Sequence, residues 1–420
     1  MNNVQNIVQS LENGQYDQAK SLISKIKESG NHEEVYFSAD QLFQLGFLNE
    51  SKGLYEYLLS FYPNEGDLKV SMAEILIEMD QEEDAISLLD SIEQDDPEFP
   101  RALLILADLY QMQGLVEVSE NKLLQAKKLL PNEPIIDFAL GELFASEGRN
   151  IEAVKYYESF IAYGKETIAG VNVNSRLGEV LSSSGQFEEA LPYFEKGLKE
   201  SFEINTLFGY ALTAYQAGFF NKSIELFNQL KEIDPQYHSL YLYLGKCYES
   251  EEDLKNAMKA VKEGIAVDEF NKELFQFGGK IALKMGNEEL AEEYFRQALA
   301  LDPGYIDAAY TLNKLLLHQN RHEDVLEITS QMEKEGDIDP QLHWDAAISC
   351  QTLERYRDAL KHYQQAYNDL KNNSEFLSQY GYFLIEEGYH AEATNIFKTL
   401  LQEDPLNEEW ASLLERLEDH

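Results

Sequence analysis

The chain is poor in several things that would otherwise give it an obvious job. It has two cysteines, Cys247 and Cys350, in 420 residues, and no zinc or redox spacing can be built from them, so a disulfide framework is excluded and a reducing cytoplasm fits best. Basic residues are scarce: 34 Lys and Arg stand against 76 Asp and Glu, a formal net charge of −42. Nucleic-acid binding depends on neutralising phosphates with cations, and an anionic membrane surface would repel this chain in the same way. No run of apolar residues approaches the roughly 18 needed to span a bilayer. The start, Met1-Asn2-Asn3-Val4-Gln5-Asn6, has neither the basic nor the apolar stretch of a secretory signal. Apolar content is not scarce. At 44% hydrophobic and 12% aromatic the chain has ample material for a core, and disorder is excluded.

What it has is a repeat. Counting from Gly46, a small residue falls at +5 (Ser51), large apolar residues at +9 and +12 (Tyr55, Leu58) and proline at +17 (Pro63). The same offsets from Gly286 give Ala291, Phe295, Ala298 and Pro303, and from Gly388 they give Ala393, Phe397, Leu400 and Pro405. Twelve anchors follow at spacings of 32 to 37 residues, mostly 34: Gly14, Gly46, Asp80, Gly114, Gly148, Gly185, Gly218, Glu252, Gly286, Asn320, Glu354 and Gly388. At −7 from each anchor the residue is Ala or Gly, except Ile7 and Asn313.

Helical periodicity on both sides of each anchor predicts a helix, a turn at the anchor where positive φ is needed, and a second helix. Small residues at −7 and +5 let the two helices approach, and the large residue at +9 fills the space between them. Pro100, Pro134 and Pro340 are placed to open first helices, and Pro192 is expected in the first turn of its own. Three extra residues between Phe160 and Ser175 predict an irregularity near residues 163–171.

These residues resemble the tetratricopeptide repeat, a 34-residue helix–turn–helix. The resemblance implies an all-α fold: an α-solenoid, wound as a right-handed superhelix of about twelve hairpins over residues 1–405. Residues 406–420 add a capping helix, with Trp410, Leu413, Leu414 and Leu417 on its apolar face. In acidity and repeat number the chain is similar to the YpiA-type cytoplasmic proteins of low-GC Gram-positive bacteria.

No chemistry-bearing motif stands out. Gly164-Lys165-Glu166-Thr167 lacks the spacing of a phosphate loop, and GxSxG and HExxH are absent. His318 and His322 are four residues apart, but the Asn320 turn falls between them and no third ligand is evident, so solvated turn histidines are expected and no metal. Cys247 and Cys350 fall at buried offsets. The expectation is a protein without catalysis or cofactor.

The surface carries the remaining information. If the repeat geometry holds, first helices line a concave groove through offsets −13, −10, −6, −3 and −2. At −6 stand five consecutive acids, Asp40, Glu74, Asp108, Glu142 and Glu179, then Leu212, then three consecutive lysines, Lys246, Lys280 and Lys314. At −10 stand Tyr36, Phe138, Phe208, Tyr310 and Trp344 among other apolar residues. The acids have a bland reading as solvated surface. The lysines are either a functional patch or the partners of Glu249, Glu273 and Asp307. An exposed ion pair contributes roughly 0.2–1 kcal/mol and a buried apolar anchor about 1.5–3, so anchors would supply affinity and charge would set orientation. The Lys at −10 with Asn at −6 that forms the carboxylate clamp of chaperone-binding repeats occurs in no repeat here. The expected function is a cytoplasmic scaffold or adaptor holding protein segments in the groove. A regulatory adaptor acting on an enzyme complex, in protein turnover or envelope synthesis, is the alternative.

Overall fold

The computed structural model describes residues 2–336 and 338–418, apart from the side chains of residues 2 and 3; Met1 and the expected cap's last residues, Asp419 and His420, lie outside the described residues. Within the described residues the chain forms 25 α-helices and one two-stranded β-hairpin. It divides into two compact units, Met1–Gly209 and Tyr210–His420, the division falling inside the first helix of repeat 7 (Ile204–Gln216).

Every one of the twelve anchors has positive φ, from 56° at Asp80 to 82° at Gly388. Each turn closes with the same two hydrogen bonds. The anchor N–H donates to the carbonyl three residues back, and the next N–H donates to the carbonyl four before the anchor, as in Gly46 to Phe43 (2.9 Å) and Phe47 to Leu42 (2.9 Å). This pairing satisfies the orphan carbonyls at the end of the first helix and starts the second without a long loop. Four anchors, Asp80, Glu252, Asn320 and Glu354, hold the left-handed conformation with a side chain attached.

Close packing follows the register. A Cβ added at Gly279, offset −7 of repeat 9, would lie 2.5 Å from the ring of Phe295, offset +9 of the same repeat. Gly141 stands against Tyr157 in the same relation at 2.6 Å. Residues at +5 are fully buried, and where they are serine the hydroxyl can bond across the hairpin: Ser51 to the Ala39 carbonyl and Ser223 to the Ala211 carbonyl, each at 2.7 Å. In unit 1 a core cluster runs from Ile7 to Leu109, and buried residues such as Tyr157, Phe160 and Phe194 continue beyond it. In unit 2 one cluster lies around Phe295 and Leu312 and another around Phe376 and Phe397, on which Trp410, Leu413, Leu414 and Leu417 of the helix Glu408–Glu418 pack.

The expected irregularity near residues 163–171 is present, and one local expectation, that for Pro192, needs correction. The three extra residues build a β-hairpin, Thr167–Ile168 paired with Val171–Asn172, whose turn residues Ala169 and Gly170 both have positive φ, the backbone that a two-residue hairpin requires. Asn172 then caps the following helix by accepting from the Ser175 N–H at 3.1 Å. Pro192 is the sixth residue of the helix Phe187–Glu200 rather than in its first turn, because the turn at Gly185 starts that helix early. Its missing N–H therefore falls opposite the Glu188 carbonyl. Pro134 and Pro340 each open a first helix, and Pro100 is second in its own.

Candidate protein-binding faces

In unit 1 the five acids at −6 lie on successive first helices. Pairings between neighbouring repeats link Glu74, Glu142 and Glu179 to the first helix of an adjoining repeat or of their own. Arg101, at −13 of repeat 4, reaches back to Glu74 at 2.6 Å. Arg176 lies 3.4 Å from Glu142 of the preceding repeat and 3.0 Å from Glu179 of its own. Glu142 also accepts from the Tyr157 hydroxyl at 2.6 Å, and Asp40 accepts from the Gln44 amide at 3.1 Å. The acids are thus largely engaged by the protein itself. Asp108 differs: it has no hydrogen bond or ion pair among the described residues. Its side chain keeps area open to water, yet the surrounding protein crowds it enough to raise its pKa by desolvation alone.

Among the clefts that open in this unit, two are lined by residues at the −6 or −10 offsets. One of about 310 Å³ is lined by Glu142, Tyr157, Arg176 and Glu179. The other, of about 330 Å³, is more apolar and is lined by His32, Tyr36, Leu58, Tyr62 and Leu68, with Asp67 at its edge. Tyr36 is half-buried there, edge-on to Tyr55 with ring centroids 5.9 Å apart, and burial followed by the Asp67 carboxylate raises its pKa. Phe138 is half-buried against Tyr157 and Phe160, and Phe208 is half-buried on the first helix of repeat 7.

In unit 2 the three lysines have no such partners. Lys280 and Lys314 are exposed and Lys246 is half-buried, and none of the three forms an ion pair among the described residues. Glu249 is taken instead by Lys284 at 2.7 Å. Lys246 stands over the Tyr243 ring at 5.2 Å, and Lys314 over the Tyr310 ring at 4.2 Å. Such contacts fix the stem of a lysine while leaving its ammonium hydrogens to an incoming acceptor. Trp344 is a correction. It is 6% exposed, donates its indole N–H to Gln379 at 2.9 Å and packs edge-on to Phe376, so it belongs to the core and not to the face. The large indole turns inward because the core cluster around Phe376 offers an apolar seat and Gln379 satisfies the only polar atom.

His318 and His322 sit on opposite sides of the Asn320 turn, and His322 approaches the Ser349 hydroxyl at 3.4 Å. Among the described residues the group with metal-ligand spacing is a different one, Glu333, His343 and His362, contributed by three successive helices. Spaced 10 and 19 residues apart, it matches no sequence motif. Burial lowers the pKa of both histidines. Burial also lifts the thiols of Cys247 and Cys350 to about 11, so neither is a thiolate at neutral pH.

Helical hairpins of this length, closed by one turn geometry and packed through small residues at −7 and +5, define a tetratricopeptide repeat array. Comparison with known proteins gives the family. Models of YpiA-like tetratricopeptide repeats match residues 111–165, and of YpiA-like C-terminal repeats residues 340–407. General tetratricopeptide repeat models match residues 42–109, 175–205 and 282–343. The TPR repeat-containing protein YpiA of Bacillus subtilis is 40% identical over 416 residues, 99% of this chain and 98% of that protein. The chain belongs to the YpiA-like tetratricopeptide repeat family. A TPR repeat-containing protein of Methanocaldococcus jannaschii is 22% identical, over 71% of this chain and 56% of its own. Among solved structures, a tetratricopeptide repeat protein from Parabacteroides merdae has a TM-score of 0.41 at 18% identity, covering 60% of this chain and 99% of that one. The crystal structure of YrrB, a TPR protein with an unusual peptide-binding site, has a TM-score of 0.39 at 17% identity, covering 45% and 96%. No helix among the described residues is long and apolar enough to cross a membrane.

Proposed function

We propose that this chain is a non-enzymatic cytoplasmic scaffold or adaptor that holds extended protein segments on the faces of its first helices. Tetratricopeptide repeats generally mediate protein–protein interactions, and that supports the class. The observation that carries the finer reading is the row Lys246, Lys280 and Lys314, the minority charge of an acidic chain placed at one offset of three consecutive repeats, with no ion pair to any of them among the described residues, although the Lys314 charge is felt by the buried Asp345 carboxylate. An unpaired ammonium on a surface this acidic is an acceptor site for a carboxylate. Unit 2 therefore takes an acidic segment or a free C-terminal carboxylate. Tyr310 offers apolar contact beside the charges. In unit 1, Asp108 and the clefts at Tyr36 and at Glu142–Glu179 take a basic or aromatic segment, with Phe138 and Phe208 as neighbouring apolar contacts.

The test is titration of the purified chain with a fluorescent acidic peptide, free or amidated at its C-terminus, and with a basic peptide of equal length. Three exposed ion pairs contribute roughly 0.6–3 kcal/mol together. The combined Lys246→Glu, Lys280→Glu and Lys314→Glu variant is expected to weaken the acidic peptide about tenfold or more and flatten its salt dependence, while binding of the basic peptide persists. Equal affinity of wild type and variant for the acidic peptide would falsify the assignment of the lysine row.

A further inference from the structure

In unit 2, three side chains converge from three successive helices. Glu333 lies near the end of His322–Glu335, His343 early in Pro340–Thr352, and His362 within Tyr356–Leu370. The two imidazoles face each other through like atoms, Nδ1 to Nδ1 at 3.1 Å, and the Glu333 carboxylate oxygen stands 3.9 Å from the His343 Nδ1. All three donor atoms lie within 4.8 Å of one another. Tetrahedral zinc at about 2.0–2.1 Å from each nitrogen sets two ligand nitrogens roughly 3.3–3.4 Å apart, close to the separation found here. A cleft of about 140 Å³, lined by Glu333, His362, Cys350, Asp358 and Arg355, opens beside the group and leaves room for a water in a further coordination position. The nearby charges are mixed: Glu333 and Asp358 favour a cation, whereas Lys361 and the cleft-lining Arg355, itself paired with Glu323 at 2.7 Å, oppose it.

We propose that Glu333, His343 and His362 form a binding site for a divalent transition-metal cation of the zinc type, which ties repeat 10 to repeat 11. Two imidazoles and one carboxylate suit Zn²⁺ better than Mg²⁺ or Ca²⁺, which take oxygen ligands. The cation would link the second helix of repeat 10 to both helices of repeat 11, across the connection that contains Gly336 at φ 145°. Its effect is structural. It replaces an imidazole–imidazole contact, which a single shared proton can satisfy, by three bonds that fix the packing of consecutive helices.

The experiment uses the full chain, stripped with a chelator, titrated with Zn²⁺ by calorimetry and by thermal melting in excess Mg²⁺ to mask carboxylate-only sites. The expected result is one saturable equivalent, a melting temperature that rises with Zn²⁺, and a tetrahedral ligand-field absorption when Co²⁺ is used instead. His362→Gln and Glu333→Gln, both at accessible positions, should each weaken binding about tenfold or more. His318→Gln combined with His322→Gln should leave it unchanged. Absence of saturable binding in the wild type, loss of binding in excess Mg²⁺, or an affinity unaltered by His362→Gln would each overturn the assignment. Circular dichroism of the unliganded His362→Gln protein shows whether it is folded. If it is not, Glu333→Gln alone decides.

Discussion

Lys127 donates to Asp137 at 2.6 Å from the second helix of repeat 4 to the first helix of repeat 5, and the aspartate side chain is only 1% exposed. The same carboxylate oxygen accepts from the Ser159 hydroxyl at 3.1 Å, whereas the other oxygen has no partner among the described residues. Among the described residues the ammonium is thus the sole counter-charge bonded to a carboxylate removed from water. Lys127→Met leaves that charge uncompensated and should cost about 3–5 kcal/mol in urea denaturation. Adding Asp137→Asn should recover most of the loss. A single variant within about 1 kcal/mol of wild type would show that water reaches the carboxylate after all.

A second buried carboxylate gives a pH signature. Burial raises the Asp345 pKa to about 6, with the Gln341 amide and the Lys314 charge pulling the other way. A folded pKa above the unfolded value near 3.9 means that the fold binds the proton more tightly. Stability tied to this group is present below about pH 4 and is lost as pH rises through 6. Asp345→Asn removes the loss, so its advantage over wild type should be near zero at pH 4 and about 2–3 kcal/mol at pH 8. An advantage of equal size at both pH values would refute this origin.

Glu252 and Glu354 occupy the left-handed region at φ 59° and 57°, where most anchors are glycine. The conformation costs a non-glycine residue roughly 1–2 kcal/mol, and glycine returns about 0.4–1 through the unfolded chain. Glu252→Gly and Glu354→Gly should therefore each raise stability by about 0.5–1 kcal/mol, seen as a higher denaturation midpoint at unchanged slope.

Close approach at offset −7 sets a converse limit. Gly279→Ala improves helix propensity by about 1 kcal/mol but drives a methyl into the Phe295 ring, and overpacking typically costs 1–3. A net loss is expected. Combining it with Phe295→Leu should be less destabilising than the sum of the two single changes, and strict additivity would show that the methyl is accommodated elsewhere.

Why the turns could be read from the chain and the histidine cluster could not is a matter of range. A left-handed residue at the end of a helix is a local demand that glycine answers cheaply, so a count of 34 located even Asp80 and Asn320, where glycine is missing. The β-hairpin had a local signature too, Ala169-Gly170 between β-branched Thr167, Ile168 and Val171, but the repeat count registered only its extra length. Trp344 followed the offset rule into the wrong environment, because offset gives the direction of a side chain and not the room that neighbouring helices leave it. Ion pairing of the acids was equally out of reach: Arg101 and Arg176 meet Glu74 and Glu142 only after repeats stack. Glu333, His343 and His362 converge only once three helices have packed.

The uniform turn has a consequence for how this chain can change length. Because each hairpin opens and closes on the same pair of hydrogen bonds, excising residues 287–320 would join Gly286 to Arg321 with the turn chemistry of both ends intact. What is lost is one rung, Lys314. If the lysine row binds a partner as proposed, the array works as a ruler graduated in whole repeats, and the spacing of charges that partner must present is set by the turns rather than by the lysines.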